Sequence, residues 1–281
     1  MELLQLKYFC DAAVSENFSN TAKKFGVPTS DISQSVRRLE NELGAQLFLR
    51  HPNRIYLNDK GREFYKKISE ALDMIRDAVS TLSDDGCCGR IKICINANRR
   101  IVMQAVEKYR REYPGVEIVT THFTENFKED FDIIIDSDSQ KFSECKRTLL
   151  ISEKIMLAVK STTKYAKSNR VDIASLADEP FITMSEKNSM YAITESICHE
   201  FGFKPKIAMQ SDDPFYVRKG VELGLGVSFV PDFSWRGQFS NDVALREIEG
   251  YTRETFIYTS GIRYIPQRVK KFIEMLLNEV K

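Results

Sequence analysis

Residues 18–64 read FSNTAKKFGVPTSDISQSVRRLENELGAQLFLRHPNRIYLNDKGREF, and the spacing of apolar residues in this run decides the fold of the first part of the chain. Ser19 suits the N-cap of a short helix from Asn20 to Phe25, since a hydroxyl can accept from the free N–H groups of a first turn. Gly26 supplies the left-handed residue that stops a helix, and Val27 and Pro28 complete a turn. Thr29 is placed to cap a third helix, with Asp31 in its first turn where negative charge meets the positive end of the dipole. Ile32, Val36, Leu39 and Leu43 then fall on one apolar stripe that must face a core. The opposite face carries Ser30, Ser33, Gln34 and Arg37. These side chains can reach base edges or phosphates when a helix lies in a major groove. A plainly solvated face would also be polar, so the flanking sequence has to decide.

Upstream, Leu6, Phe9, Cys10 and Ala13 recur at helical spacing and predict a first helix that closes near Ser15. Downstream, Leu47 and Phe48 lead into two short extended segments around the turn His51-Pro52-Asn53, with Arg50, His51 and Arg54 at its edges. A basic hairpin beside a recognition helix is a wing, and it directs Arg50 and Arg54 at phosphates or into a minor groove. The expected DNA-contacting set is Ser19, Thr21, Thr29, Ser30, Ser33, Gln34, Arg37, Arg38, Arg50, His51 and Arg54.

With Ala22 at the helix crossing, Ser33, the Arg38-Leu39-Glu40 run, Leu43-Gly44, Leu47-Phe48, Arg50, Leu57 and Gly61, the segment resembles the DNA-binding part of the LysR family of bacterial transcription regulators. Two positions depart from the family pattern. Asp31 stands where a small apolar residue is usual, and Asn58 where threonine is usual, although Asn58 still caps a helix well. The resemblance implies a winged helix-turn-helix over residues 1–61 and promoter DNA as partner.

Length and composition agree with two domains rather than one, since 281 residues exceed the usual size of a single domain of about 100 to 200. The 41 basic and 40 acidic side chains nearly cancel, so a DNA reading rests on local placement of charge. Glu2 sits where an export signal would be basic, and no apolar run approaches the roughly 20 residues that span a bilayer. A cytoplasmic protein without membrane contact is expected. Cys10, Cys87, Cys88, Cys94, Cys145 and Cys198 show no zinc-ligand spacing and read as reduced thiols, with Cys87 and Cys88 adjacent in a joint.

From Asp59 to Leu82, Phe64, Ile68, Ala71, Ile75, Ala78 and Leu82 alternate at four- and three-residue steps, a heptad-like seam. It could pack on its own domain. The family resemblance implies instead a linker helix that pairs two subunits, so a homodimer or homotetramer is expected. Ser83-Asp84-Asp85-Gly86 and Gly89 break the pattern and give a linker and hinge over 58–89.

Residues 90–281 alternate strands with helices: Ile91, Ile93 and Ile95 on a strand, a helix bearing Val102, Ala105, Val106 and Tyr109, then strands near Val116 to Thr121, Phe131 to Ile135, Ile155 to Val159, Pro180 to Met184, Lys206 to Met209 and Val227 to Val230. Helices are expected over Met190 to Phe201 and Pro214 to Leu223, with a last one after Pro266. This order predicts an α/β fold with largely parallel sheets. Tyr113-Pro114, FDIII, LADEPFI and GVELGLGVSFVP resemble the family's effector domain. That implies two α/β subdomains like those of a periplasmic binding protein, subdomain I at about 90–158 and 262–281 and subdomain II at about 159–261. The stretch from Thr121 to Phe131 looks shorter than usual. A ligand in such folds lies against strand ends and helix N-termini. Asn96, Asn98, Arg99, Thr124, Ser185, Asn188, Ser189, Ser211 and Asp212 are the expected contacts, and Arg99 and Arg100 at a helix N-terminus suggest an anionic small-molecule effector.

An enzyme would need a nucleophile elbow, metal motif or phosphate loop, and the sequence has no GxSxG, HExxH or GxxxxGK[ST]. His122 and His199 are isolated, and no cofactor is expected. Two other classes compete with an effector-modulated regulator. One is a solute-binding protein with an adaptor, opposed by the missing export signal. The other is an oxidant sensor using Cys145 and Cys198 or the Cys87-Cys88 pair.

Overall fold

The computed structural model describes residues 1–51, 54–80, 88–122, 131–137, 142–168, 170–261 and 264–280. The chain divides into two units, Met1–Gly86 with Ile262–Pro266, and Cys87–Gly261 with Gln267–Lys281.

The first unit opens with α1 (Leu3–Ser15), α2 (Phe18–Phe25) and α3 (Thr29–Leu43). Strands β1 (Phe48–His51) and β2 (Arg54–Leu57) pair antiparallel, Phe48 opposite Leu57 and His51 opposite Arg54, and α4 (Asp59–Ser80) follows. Phe9, Ala12, Val36, Leu39, Leu47, Phe48 and Ile55 make one core, and Tyr8, Ala22 and Ile32 a second. Gly26 ends α2 at φ 66° and Gly44 ends α3 at φ 63°, the left-handed geometry that glycine accepts without steric cost.

Three local expectations are corrected here. The cap of α2 is Asn17, whose side chain accepts from the N–H groups of Ser19 and Asn20, so Ser19 lies inside the helix. Pro28 occupies the cap position of α3 and Thr29 makes no capping bond. Leu43 is exposed, because α3 reaches its last turn beyond the edge of the core that takes Ile32, Val36 and Leu39. Asn58 does cap α4: its side chain accepts from the Gly61 N–H at 2.8 Å and donates to the Gln46 carbonyl at 2.8 Å. The wing turn at Pro52-Asn53, Leu82 and the joint at 83–87, Cys87 included, lie outside the described residues.

In the second unit a six-stranded sheet runs β4-β3-β5-β10-β6-β9, and a small parallel pair is β7-β8. The strands are β3 (Gly89–Ile95), β4 (Val116–Thr121), β5 (Ile133–Ser137), β6 (Cys145–Lys160), β7 (Pro180–Met184), β8 (Lys206–Ser211), β9 (Ser228–Pro231) and β10 (Val243–Ser260). The helices are α5 (Arg99–Glu112), α6 (Ser189–Glu200), α7 (Pro214–Leu223), the short α8 (Asp232–Trp235) and α9 (Gln267–Asn278). Only part of the sheet is parallel, which corrects the expectation. β6 and β10 are long antiparallel strands, and β10 and β9 join their neighbours antiparallel. The two long strands serve two cores. Cys94, Ile134, Phe142, Phe256 and Tyr258 cluster toward one end, while Ile155, Leu157, Phe181, Val217, Phe229 and Ile248 belong to the large cluster at the other. Tyr109 of α5 meets Phe272 of α9 edge-on and donates its hydroxyl to the Arg268 carbonyl at 2.8 Å.

Candidate nucleic-acid interface and ligand cleft

Burial of Ile32, Val36 and Leu39 fixes the rotation of α3 about its axis. Thr29, Ser30, Gln34, Arg37 and Arg38 are consequently exposed and Ser33 is half-buried on the flank. The Ser30 hydroxyl donates to Asp31 at 3.0 Å, so the unusual carboxylate already has one partner. Ser19 is exposed at the start of α2. Thr21 does not belong to this surface: it is fully buried, within 3.1 Å of the Ser15 hydroxyl, and it ties α2 to the end of α1.

The wing residues differ from one another. Arg54 is exposed, and a hydrogen bond with Tyr56 holds its guanidinium still more firmly protonated than usual. The His51 ring meets Tyr56 edge-on at 5.8 Å. Arg50 is engaged by its own domain: it donates to Glu40 at 2.8 Å and its guanidinium lies over the Phe18 ring at 5.7 Å. Arg50 is still exposed, and the pair with Glu40 also makes it a strut between wing and helix.

In the second unit a cavity of about 300 Å³ opens beside the N-termini of α5 and α7. Asn96, Asn98, Arg99 and Asn188, all expected contacts, line it. Ser185, Ser189, Ser211 and Asp212 do not. The Ser189 hydroxyl is spent on Ser137 at 2.8 Å, and Ser211 accepts from the Asp213 N–H at 3.1 Å. Thr124 lies outside the described residues. Arg100, which with Arg99 suggested an anion, also lines the cavity, and Arg218, Trp235 and Arg253 join it unforeseen. Arg218 follows Pro214 by one helical turn, a signal available in the sequence. Arg253 sits on a strand too charged to be read as one.

Asn98, at φ 56°, precedes α5 and is buried with neither side-chain heteroatom bonded. Arg218 lies 5.3 Å over the Trp235 ring, and burial pulls its guanidinium below the usual value, against the opposing effect of Asp213 and Glu222. Arg253 donates to Glu153 at 2.7 Å and to Ser234 at 2.9 Å, in an ion pair wholly removed from solvent. Among the described residues no cluster of His, Cys, Asp and Glu could hold a metal ion, and no helix is long and apolar enough to cross a membrane.

Two family models match this chain: the bacterial regulatory helix-turn-helix of the lysR family over residues 3–62, and the LysR substrate binding domain over residues 85–281. The chain belongs to the LysR family. It is therefore a DNA-binding transcription regulator with a C-terminal effector-binding domain, and not an enzyme. Among curated relatives, the transcriptional dual regulator GltC of Bacillus subtilis is 27% identical over 83% of this chain and 81% of its own length. The regulator ShiR of Corynebacterium glutamicum is 28% identical over 81% and 82%.

Solved structures share the fold. An OxyR cysteine mutant from Corynebacterium glutamicum superposes with TM-score 0.73 at 16% identity, covering 99% of this chain and 92% of that one. CbnR complexed with its target DNA gives TM-score 0.56 at 19% identity over the full length of both chains. The effector binding domain of QuiR in complex with shikimate gives 0.59 at 18% identity, covering 68% of this chain and 97% of that one.

Proposed function

We propose that this LysR regulator reads promoter DNA with Ser30, Ser33, Gln34, Arg37 and Arg38 of α3, flanked by Ser19, Thr29, His51 and Arg54, and senses an anionic effector in the cavity beside α5 and α7. The observation that carries the DNA reading is the complete burial of Ile32, Val36 and Leu39, which leaves the hydroxyl, amide and guanidinium edge as the only edge α3 can offer a duplex. Arg54, exposed and in no salt bridge among the described residues, suits a phosphate contact. Cationic lining by Arg99, Arg100 and Arg218 supports an anionic effector.

The regulator works as a homodimer or homotetramer in the cytoplasm, where its promoters are. Met74, Ile75 and Val79 leave an apolar strip exposed on α4, a surface suited to a second copy of the helix. Two copies multiply affinity for paired half-sites. An effector that binds one closure state of the cleft better shifts the population toward it and so changes promoter binding.

Selection of bound fragments from genomic DNA, followed by anisotropy titration of the parent and Gln34→Ala, tests the reading. Loss of sequence preference supports it. Unchanged affinity and preference in Gln34→Ala and Ser33→Ala would sink the assignment of the α3 face.

Oxidant sensing through Cys198 lacks comparable support, since burial pushes that thiol up to about 12 and keeps it from the reactive thiolate form.

A further inference from the structure

Four buried polar atoms on residues lining the α5 cavity have no hydrogen-bond partner among the described residues: Asn98 Nδ2 and Oδ1, Arg100 Nε and Arg253 Nε. Buried polar atoms are paired in the great majority of cases, so four unmet ones around a single hollow mark the place of a guest. One terminal nitrogen of each arginine, Nη2, is already in use, that of Arg100 on the Phe233 carbonyl at 2.9 Å and that of Arg253 on Glu153 and Ser234. What is unmet is three donor atoms and one acceptor. Exchanging the N and O of the Asn98 amide leaves the same demand.

Charge narrows the guest further. Arg253 is already neutralised by Glu153, and Arg99, Arg100 and Arg218 line the cavity against one lining carboxylate, Asp213, whose Oδ1 is engaged by the Phe215 N–H at 2.8 Å as the cap of α7. A carboxylate is welcome there and an ammonium group is not. The Asn98 backbone carbonyl accepts the Val102 N–H at 3.2 Å, which fixes the main chain of this residue to the first turn of α5. Met103, Met184, Met190 and Trp235 supply apolar wall for a carbon skeleton.

We infer, resting on the effector reading of this cavity, that its ligand is a small hydroxy acid. The arginines take the carboxylate, and a neighbouring hydroxyl gives its proton to Asn98 Oδ1 while accepting from Nδ2 or an arginine. A site built to hydrogen-bond a hydroxyl discriminates strongly against the analogue without it, because its own buried groups are then left unpaired. Asn98 is the residue that sets this specificity.

Calorimetric titration of the full chain with two matched sets isolates the substituent beside the carboxylate: malate, succinate and aspartate, then mandelate, phenylacetate and phenylglycine. The hydroxy member is expected to bind at least tenfold more tightly than the deoxy member on one skeleton or both, with the amino member weakest. Asn98→Gly, which keeps the positive φ without strain, should bind hydroxy and deoxy acids equally. Arg100→Gln should weaken every acid together. If Asn98→Gly does not fold, Asn98→Asp must lose affinity for all of the acids, since it adds a negative charge to the same space.

Equal binding of hydroxy and deoxy acids by the parent, a preference for the amino acid, or no binding by any of the six overturns the inference and leaves the cavity reading standing on its own evidence. A hydroxyl preference that survives both Asn98→Gly and Arg100→Gln locates the ligand elsewhere and overturns the two together.

Discussion

One carboxylate joins helix α3 to the wing: Glu40 Oε2 receives the Arg50 guanidinium at 2.8 Å while Oε1 receives the N–H groups of Leu47 and Phe48 at 2.8 and 3.2 Å. Arg50 and Arg54 therefore answer substitution differently, although both are wing arginines. Arg54→Ala should weaken binding to all sequences and lower the salt slope of log K by about 0.9, the value of one phosphate contact. Arg50→Ala should lower the stability of the N-terminal unit by about 1 kcal/mol, with a smaller change in slope. Anisotropy titrations at several salt concentrations, paired with thermal melts, separate the two effects.

Gln34→Ala and Ser33→Ala should each reduce discrimination between the selected operator and a mismatched one by about 1 to 3 kcal/mol where a base contact is lost. Competition titration against single-base variants of the operator reads the loss position by position. Discrimination lost evenly at every position would point to phosphate contacts instead.

A Cβ on Gly61 would stand 2.1 Å from the Leu47 carbonyl oxygen, which itself receives the Asn58 N–H at 3.0 Å. Gly61→Ala must push α4 off the wing, and it should destabilise the N-terminal unit by about 1 to 3 kcal/mol, the range for overpacking. Denaturant melts of the full chain should show that loss in the transition of this unit.

Burial raises the Cys10 and Cys198 thiols from an ordinary 9.0 up to about 12. At pH 8 both stay protonated in the folded chain, whereas Cys88 is exposed. Iodoacetamide at that pH should label Cys88 and spare Cys10 and Cys198 until denaturant is added, as read by peptide mass spectrometry. Since the folded values lie above the unfolded one, the unfolded chain loses these protons first as pH rises. Stability should fall as pH rises above about 9.

Glu153 and Arg253 pair in the interior, with Ser234 closing the network through its hydroxyl and N–H. Glu153→Gln leaves a buried cation uncompensated and should cost about 3 to 5 kcal/mol. The double change Glu153→Leu with Arg253→Met should recover most of it. A double variant no more stable than the single one would show that the charges themselves hold the strands in register.

How far the sequence carries the reader depends on how each element is buried. α3 was legible because a three-and-four spacing of Ile32, Val36 and Leu39 has one structural meaning, and the wing because Leu47, Phe48 and Ile55 flank a turn. Leu43 deceived because apolar character continues past the point where the core ends. Thr21 deceived because a hydroxyl on a short helix serves a turn as readily as a phosphate. β10 stayed hidden because Arg246, Glu247, Glu249, Arg253 and Glu254 dilute its alternation, and one of those charges turns inward to Glu153. For the same reason only Asn96, Asn98, Arg99, Arg100 and Asn188 of the cavity were foreseen. The remaining wall comes from residues that chain separation and the missed strand kept apart on paper.

The ladder between β6 and β10 is broken at two places: it skips Leu150 between Thr255 and Phe256, and it steps from Glu247 opposite Met156 to Thr252 opposite Lys154, so that Ile248, Glu249, Gly250 and Tyr251 stand against Ile155 alone. Gly250 turns this excursion at φ 88°. An excursion of four residues against one bends a strand pair locally and sharpens its right-handed twist, so the long ribbon coils instead of running flat.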